Sequence, residues 1–193
     1  MVGYGVDLLR LARGVPINLH GYMKFVTLSA LRRRTGARTL IETGTYLGVT
    51  SARCARVFER VLTIELDEEL ARKAGSYLAR YSNVELFRAN AVDILPDLIN
   101  RDDVNDIVVF LDGHFSGGDT ARGEVPEPAL MELGILAKYG EKIRGIIVDD
   151  FRCFGVDAGF PKKSELIAAV EQLFPHPCFD LKVHADQLII ERR

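Results

Sequence analysis

The chain has 193 residues, of which 48% are hydrophobic and 27% are charged, a composition typical of one soluble globular domain. Its net charge of −2 gives no broad basic surface for nucleic acid or an anionic membrane, and no apolar run approaches the roughly 20 residues of a membrane-spanning helix. The three cysteines form no CxxC pair and the first residues lack a signal-peptide pattern, so we expect reduced thiols and a cytoplasmic protein.

Residues 1–36 are predicted to form a helical segment that precedes the rest of the domain. A short amphipathic pattern covers residues 6–13, and apolar residues recur near helical spacing over 20–34. The run Arg32-Arg33-Arg34 lies where the second helix should end, just before Gly36. Because cations are expected at a helix C-terminus, we prefer this explanation to a phosphate-binding patch. The two helices are also the surface that we expect for a homodimer.

From residue 38 onward, predicted strands and helices alternate. Strands are predicted from residue 39 and over 61–65, 83–88, 106–112, 143–150, 178–183 and 187–191. Helices are predicted over 50–60, 68–81 with Asp67 as the cap, 93–100, 127–139 and 161–174 with Pro161 in its first turn.

This alternation of continuous apolar strands with helices indicates an α/β fold with a parallel sheet covered on both faces. The last two strands are joined by about three residues, which only a hairpin permits. We therefore predict a three-layer, doubly wound sheet of seven strands, mostly parallel, with one antiparallel strand from the C-terminal hairpin. The whole chain, 1–193, is predicted to be a single domain.

The first strand leads into a glycine turn that is typical of a ligand site. Gly44 permits a tight turn, and Gly48 lets either a ligand or a helix pack closely. Glu65 ends the second strand, 21 residues after Gly44. In dinucleotide-binding folds an acid at about this distance binds ribose hydroxyls. The alternative is that Glu65 is simply an acid near the start of the helix that Asp67 caps.

Other polar residues also follow predicted strands, at the edge of the sheet where ligands of open α/β folds bind. They are Glu42, Asn90, Asp112, His114, Asp149 and Asp150. The glycine-rich loop at 113–123 is predicted to be a lid or a substrate wall, with Arg122 available for an anionic group, or else a passive connector.

Three segments carry a resemblance to a known family: Glu42-Thr-Gly-Thr-Tyr-Leu-Gly48, Asp112-Gly-His-Phe-Ser-Gly-Gly118 and the pair Asp149-Asp150. They resemble motifs of the class I S-adenosylmethionine-dependent methyltransferases, over roughly residues 38–191. That family has a Rossmann-like seven-stranded sheet that ends in a hairpin with an antiparallel last strand. Tyr46 stands where many members have a glycine.

The resemblance implies a set of roles around S-adenosylmethionine (SAM). Glu42 would contact the methionine end, and Glu65 would hold the ribose diol. The loop beneath the cofactor would contain Gly44, Thr45, Tyr46 and Gly48, and Asn90 and Ala91 would adjoin the adenine. Asp112 would contact both cofactor and substrate as a catalytic residue. His114 is a candidate general base, with a metal ligand and a structural loop residue as alternatives.

The resemblance also implies a candidate metal site. In catechol-type O-methyltransferases an Asp after the fourth strand and an Asp-Asn pair after the fifth hold magnesium, and here the equivalent residues are Asp112, Asp149 and Asp150. Oxygen ligands favour Mg²⁺, Ca²⁺ or Mn²⁺, and such an ion would lower the pKa of a substrate hydroxyl. Alternatively, Asp112 orients the substrate, and Asp149 or Asp150 forms a cap or a local salt bridge.

The leading hypothesis is therefore SAM-dependent methylation of an oxygen, or less favourably a nitrogen, in a small molecule or saccharide. One alternative is a protein that binds a nucleoside cofactor without catalysis. Another is an NAD-dependent oxidoreductase, although the Gly44–Gly48 spacing is not GxGxxG and the terminal hairpin argues against it. We expect no nucleic-acid or membrane partner.

Overall fold

A computed structural model of the chain describes residues 21–113 and 128–193. Three features of the sequence analysis lie outside the described residues: the predicted helix at 6–13, His114, and nearly all of the loop at 113–123 with Arg122.

The helices and strands alternate in the order that the sequence predicts. The helices are α1 (Gly21–Thr35), α2 (Val49–Cys54), α3 (Glu68–Leu78), α4 (Ala91–Asn100), α5 (Ala129–Ala137) and α6 (Lys163–Leu173). The strands are β1 (Thr39–Thr43), β2 (Arg60–Glu65), β3 (Val84–Arg88), β4 (Ile107–Leu111), β5 (Ile143–Val148), β6 (Phe179–His184) and β7 (Gln187–Arg192). A single 3₁₀ turn, Phe151–Cys153, follows β5.

The strands form one seven-stranded sheet in the order β3-β2-β1-β4-β5-β7-β6. Pairs from β3 through β5 are parallel, whereas β7 is antiparallel to both β5 and β6. The predicted fold class is therefore confirmed, including the single antiparallel strand from the hairpin. In the centre of the sheet, Thr43 lies opposite both Ile64 and Leu111, so β1, β2 and β4 end at the same level.

Alternate residues of the central strands point to opposite faces, and both faces are buried. On one side Ile41 and Val109 pack in a core with apolar residues of α4, α5 and α6. On the other side Leu40 and Val108 pack in a second core with residues of α1 and α2. These two layers of helices explain why the strands read as continuous apolar runs instead of alternating ones.

Helix α1 is a structural part of the second core. Leu28 and Leu31 are fully buried. Leu31 packs so closely on β5 that a Cβ added to Gly145 would lie 2.8 Å from the Leu31 Cδ2. The helix closes where Gly36 N–H donates to the carbonyl of Arg32 at 2.9 Å, and Arg34 forms a two-pronged salt bridge with Glu191. These contacts favour the helix-end explanation of the arginine run over a phosphate patch.

Among the predicted helix boundaries that differ from the structure, one is displaced by tertiary contacts and one by a local cap. The helix expected over 50–60 ends at Cys54, since Phe58 turns into the core and Arg60 already pairs with Thr39 in the sheet. Pro161 does not begin the sixth helix. That helix begins at Lys163, because the Glu165 side chain accepts a hydrogen bond from the Lys162 N–H and completes a cap there.

Two further observations bear on the expectations from composition. None of the helices in the described ranges is both long and apolar enough to cross a membrane. The three cysteines are free thiols, as their spacing predicts. The single-domain organisation stays a prediction.

Candidate functional site

The turn after β1 lies directly against the end of β4. Gly44 adopts φ +85°, and a Cβ added there would lie 2.3 Å from the carbonyl oxygen of Asp112. On the other side of the same junction, Asp112 N–H donates to the carbonyl of Thr43 at 3.0 Å. Only glycine meets both demands, a positive φ and no side chain, so Gly44 allows the two strand ends to meet.

Gly48 serves helix packing. It has φ +74° at the start of α2, and an added Cβ would lie 3.0 Å from the side chain of Leu78 in α3. Of the two alternatives that the sequence left open, a packed helix or a packed ligand, the structure places a helix at this position.

Glu65 is held at the end of β2 by backbone groups from two different turns. Its Oε2 accepts from the Tyr46 N–H at 2.7 Å, and its Oε1 accepts from the Asp67 N–H at 3.0 Å. Burial raises the pKa of Glu65, and these N–H donors act in the opposite direction. Each carboxylate oxygen can accept a second hydrogen bond, so the two oxygens of Glu65 can still bind the two hydroxyls of a diol. Asp67 also caps α3 as predicted, accepting from the Leu70 N–H at 2.8 Å.

Asn90 and Ala91 follow Glu65 along the rim, which is the edge of the sheet where the parallel strands end. The N–H of Ala89 donates to the carbonyl of Glu65 at 3.0 Å, which places the turn after β3 beside the end of β2. The amide oxygen of Asn90 caps α4 by accepting from the Val92 N–H at 3.2 Å. Both Asn90 and Ala91 are half-buried.

Glu42 lies beneath the glycine turn and is only 1% exposed. Its Oε2 accepts hydrogen bonds from the hydroxyls of Ser51 and of Thr63, the latter at 2.9 Å. Because Thr63 gives its proton to Glu42, the 2.6 Å contact between Thr45 and Thr63 makes Thr45 the donor there. Burial raises the pKa of Glu42 to about 7, although the two hydroxyl donors favour its ionised form.

The structure brings Asp112, Asp149 and Asp150 together, with one carboxylate oxygen of each within 4.8 Å of the others. Asp149 is 3% exposed, and its Oδ1 accepts from the Gln187 side-chain N–H at 2.8 Å. Gln187, which begins β7 and is fully buried, is not among the site residues predicted from the sequence.

Asp150 forms a local salt bridge. Its Oδ1 lies 2.5 Å from Nη1 of the Arg152 guanidinium. The same guanidinium also binds the Asp186 carboxylate in the β6–β7 turn. The backbone N–H of Arg152 donates to Asp186 as well, at 2.7 Å. Arg152 therefore ties the segment after β5 to the hairpin, in agreement with the local pairing that the sequence left open for Asp150.

Lys24, a second residue not predicted from the sequence, projects from α1 into the acidic cluster. Its Nζ lies 2.5 Å from Asp112 Oδ2 and 2.7 Å from Asp149 Oδ2, and its side chain is 15% exposed. The contact with Asp112 is a hydrogen bond. The contact with Asp149 is an ion pair.

Lys24 carries its proton in this setting. Burial opposes the charge, but attraction to Asp112 and Asp149 outweighs that effect and raises the pKa of Lys24 above its usual range. A signal in the sequence could have identified the residue: Lys24 lies one helical turn before Leu28 and two before Leu31, so it falls on the stripe of α1 that faces the core. A lysine on that stripe needs a buried anion.

The three aspartates do not fit a divalent cation as they are held. Their oxygen donors are of the kind that Mg²⁺ prefers. However, the Lys24 ammonium already lies within 2.7 Å of both Asp112 and Asp149, and the Arg152 guanidinium is bonded to Asp150. An ion bound to the same oxygens would collide with the Lys24 Nζ.

Several solved structures with a similar fold are methyltransferases. An O-methyltransferase from Streptomyces achromogenes, TomG, in complex with SAM, is 20% identical with a TM-score of 0.63, and the match covers 98% of this chain and 88% of that one. An O-methyltransferase from Bacillus cereus in complex with S-adenosylhomocysteine (SAH) is 19% identical with a TM-score of 0.64, over 99% and 90% of the two chains.

A methyltransferase from Podospora anserina, bound to SAH, is 15% identical with a TM-score of 0.61, over 88% of this chain and 78% of that one. No protein-family model matches the sequence, and no curated protein sequence matches it either. At this level of identity the likeness shows the fold alone: the described residues form a Rossmann-like seven-stranded sheet similar to that of these solved methyltransferases.

Proposed function

We propose that the protein is a SAM-dependent methyltransferase that methylates an oxygen of a small molecule or saccharide. The observation that carries the proposal is the rim at the ends of β1, β2 and β4. There the Gly44 turn packs on Asp112, and Glu65 is fixed by the N–H groups of Tyr46 and Asp67. Proteins with this fold have been solved with SAM or SAH bound.

The residues of the rim suit the parts of the cofactor in a defined order. Glu65 would accept the ribose hydroxyls on the oxygens that the backbone already orients. The Gly44–Gly48 turn would lie beneath the cofactor, with the exposed Tyr46 beside it. Asn90 and Ala91, next along the rim, would adjoin the adenine. Glu42 would contact the methionine end, where the ammonium group of the cofactor would favour the ionised form of the Glu42 carboxyl.

Methyl transfer requires little covalent chemistry from the protein itself. Bound SAM supplies a methyl group that its sulfonium already activates. The protein has to place an acceptor oxygen in line with the carbon–sulfur bond and exclude water. The acceptor hydroxyl must also lose its proton. Asp112 is a candidate for receiving that proton, as is His114 on the segment outside the described residues. A cytoplasmic location and a homodimer stay predictions.

Calorimetric titration tests the proposal. We expect the protein to bind SAH and not NAD, since the two ligands share the adenosine that Glu65 and Asn90 would hold but differ beyond it. Binding of NAD without binding of SAH would contradict the proposal. Radiolabelled SAM with a panel of phenols and sugars then identifies the acceptor class, and Asp112→Ala should abolish transfer to it.

A further inference from the structure

The rim at the ends of β4 and β5 carries a cluster of acidic residues whose negative charge must be balanced in the folded protein. Asp112 and Asp149 are 15% and 2% exposed at their side chains, and Asp150 lies beside them. Carboxylates that close together repel each other when poorly hydrated, so one of them must be protonated or a cation must lie between them.

The cation in this structure belongs to the chain itself. We propose that the ammonium group of Lys24 takes the place of a divalent metal ion between Asp112 and Asp149, so that the site functions without a metal. Lys24 Nζ lies within 2.7 Å of an oxygen of each carboxylate, which is the position where an ion bridging them would have to bind.

Helix α1 holds Lys24 firmly in that position. Leu28, one turn further along the helix, is fully buried against the sheet, and Leu31 packs directly on Gly145 of β5. The ammonium also lies 5.6 Å from the ring centroid of Phe110 in β4, close enough for a cation–π contact. A divalent ion would have to lose bound water before it could bind here. It would also have to displace the Lys24 ammonium, which these contacts keep at a high effective concentration beside the carboxylates.

Two further carboxylate oxygens of the cluster also have partners. Asp149 Oδ1 accepts from Gln187, and Asp150 is bonded to Arg152. Asp149 Oδ2 faces the Lys24 ammonium in an ion pair and has a second lone pair. That oxygen and the Lys24 ammonium, which has three N–H groups, remain able to bind a hydroxyl. If the proposed function holds, the acceptor oxygen would meet an ammonium at this point in place of a metal ion.

Manganese binding tests the proposal without reference to methyl transfer. The free Mn²⁺ signal in electron paramagnetic resonance is titrated against wild-type protein and against Lys24→Met, both saturated with SAH. Lys24→Met keeps the length of the side chain but leaves Asp112 and Asp149 without their cation. We expect wild-type protein to take up no Mn²⁺ at this site, and the variant to bind it at least about tenfold more tightly.

Two controls locate the bound ion. Adding Asp149→Asn to Lys24→Met should remove the gained Mn²⁺ binding. Lys73→Met, which removes an exposed lysine 3.4 Å from Glu69 on α3, should create no site. Mn²⁺ binding by Lys73→Met equal to that by Lys24→Met would contradict the proposal.

Two further results would overturn the proposal. One is wild-type protein that binds one equivalent of Mn²⁺ in a manner that Asp149→Asn abolishes, because the metal would then displace Lys24. The other is a folded Lys24→Met protein that binds no more Mn²⁺ than wild type. The wild-type titration does not depend on Lys24→Met folding. Failure of SAH binding to wild-type protein would count against the proposed function alone, since the Mn²⁺ comparison can be repeated without SAH.

Discussion

Replacing Glu42 with glutamine should remove a pH dependence of stability that this buried carboxyl imposes. Burial raises the pKa of Glu42 from its ordinary 4.5 to about 7. Between those values the folded protein keeps the proton while the unfolded chain has released it, so stability falls as the pH rises. The stability that protonated Glu42 contributes is therefore complete below about pH 4.5 and is lost as the pH rises through about 7.

The size of the effect follows from the pKa shift. One pKa unit corresponds to about 1.4 kcal/mol, so a rise of about 2.5 units is worth roughly 3 kcal/mol in total. Between about pH 5 and about pH 8.5, wild-type protein should lose about 2.5 kcal/mol from this source, and Glu42→Gln should lose none of it. Glutamine keeps the size of the side chain and an oxygen that can accept from Ser51 and Thr63.

Urea unfolding at the two pH values, followed by circular dichroism, measures the effect. The relevant quantity is the difference in the free energy of unfolding between wild type and Glu42→Gln, because other titrating groups cancel in it. Ser51→Ala removes a hydrogen bond that favours the ionised carboxylate, so it should raise the pKa of Glu42 further and increase the loss. A wild-type-to-variant difference that is the same at both pH values would refute the reasoning.

Other substitutions test the glycine turn and the ribose contact. Gly44→Ala should destabilise the protein by more than about 3 kcal/mol in thermal unfolding, because the new Cβ would overlap the Asp112 carbonyl. Gly75→Ala, in the interior of α3 with no atom within 4 Å of the new Cβ, should instead stabilise by about 0.5–1 kcal/mol, and equal effects of the two would contradict the structure. Glu65→Gln should weaken SAH binding about tenfold or more in calorimetry, since a glutamine offers one acceptor oxygen in place of two. Glu69→Gln, an exposed carboxylate on α3, should leave SAH binding unchanged, and a Glu65→Gln protein that binds SAH as wild type does would remove Glu65 from the cofactor site.

The fold could be predicted from the sequence because its strongest signals are local. A strand buried on both faces has to be apolar throughout, and β4, with the sequence IVVFL, is buried at all five positions. The hairpin followed from the short connection between the last two strands, since no parallel crossover fits there. The most displaced helix boundary depends on a distant partner. Helix α2 stops early because Arg60 pairs with Thr39, and a local pattern does not contain that pairing.

Part of the candidate site was predictable for a topological reason. The carboxyl ends of parallel strands meet at one edge, so polar residues that follow β1, β2, β4 and β5 had to lie near one another. The contacts of Lys24 were not predictable in the same way. Its hydrogen bond to Asp112 spans 88 residues and depends on how α1 crosses the sheet. Likewise, the hydroxyls of Ser51 and Thr63 reach Glu42 only because Thr63 lies opposite Glu42 in the β1–β2 pair and α2 packs over the sheet.

The family resemblance implied a metal ion at the acidic rim, whereas the structure places two different side-chain cations there. Asp149 is almost fully buried, so its charge can be balanced only by a group that enters the core, which the Lys24 stem does along α1. Asp150 adopts a left-handed backbone and turns outward to Arg152, whose side chain is 42% exposed. Exposed ion pairs contribute little, whereas a buried charge left without its partner costs several kcal/mol. Loss of Lys24 should therefore disturb this rim far more than loss of Arg152, although both residues neutralise the same group of acids.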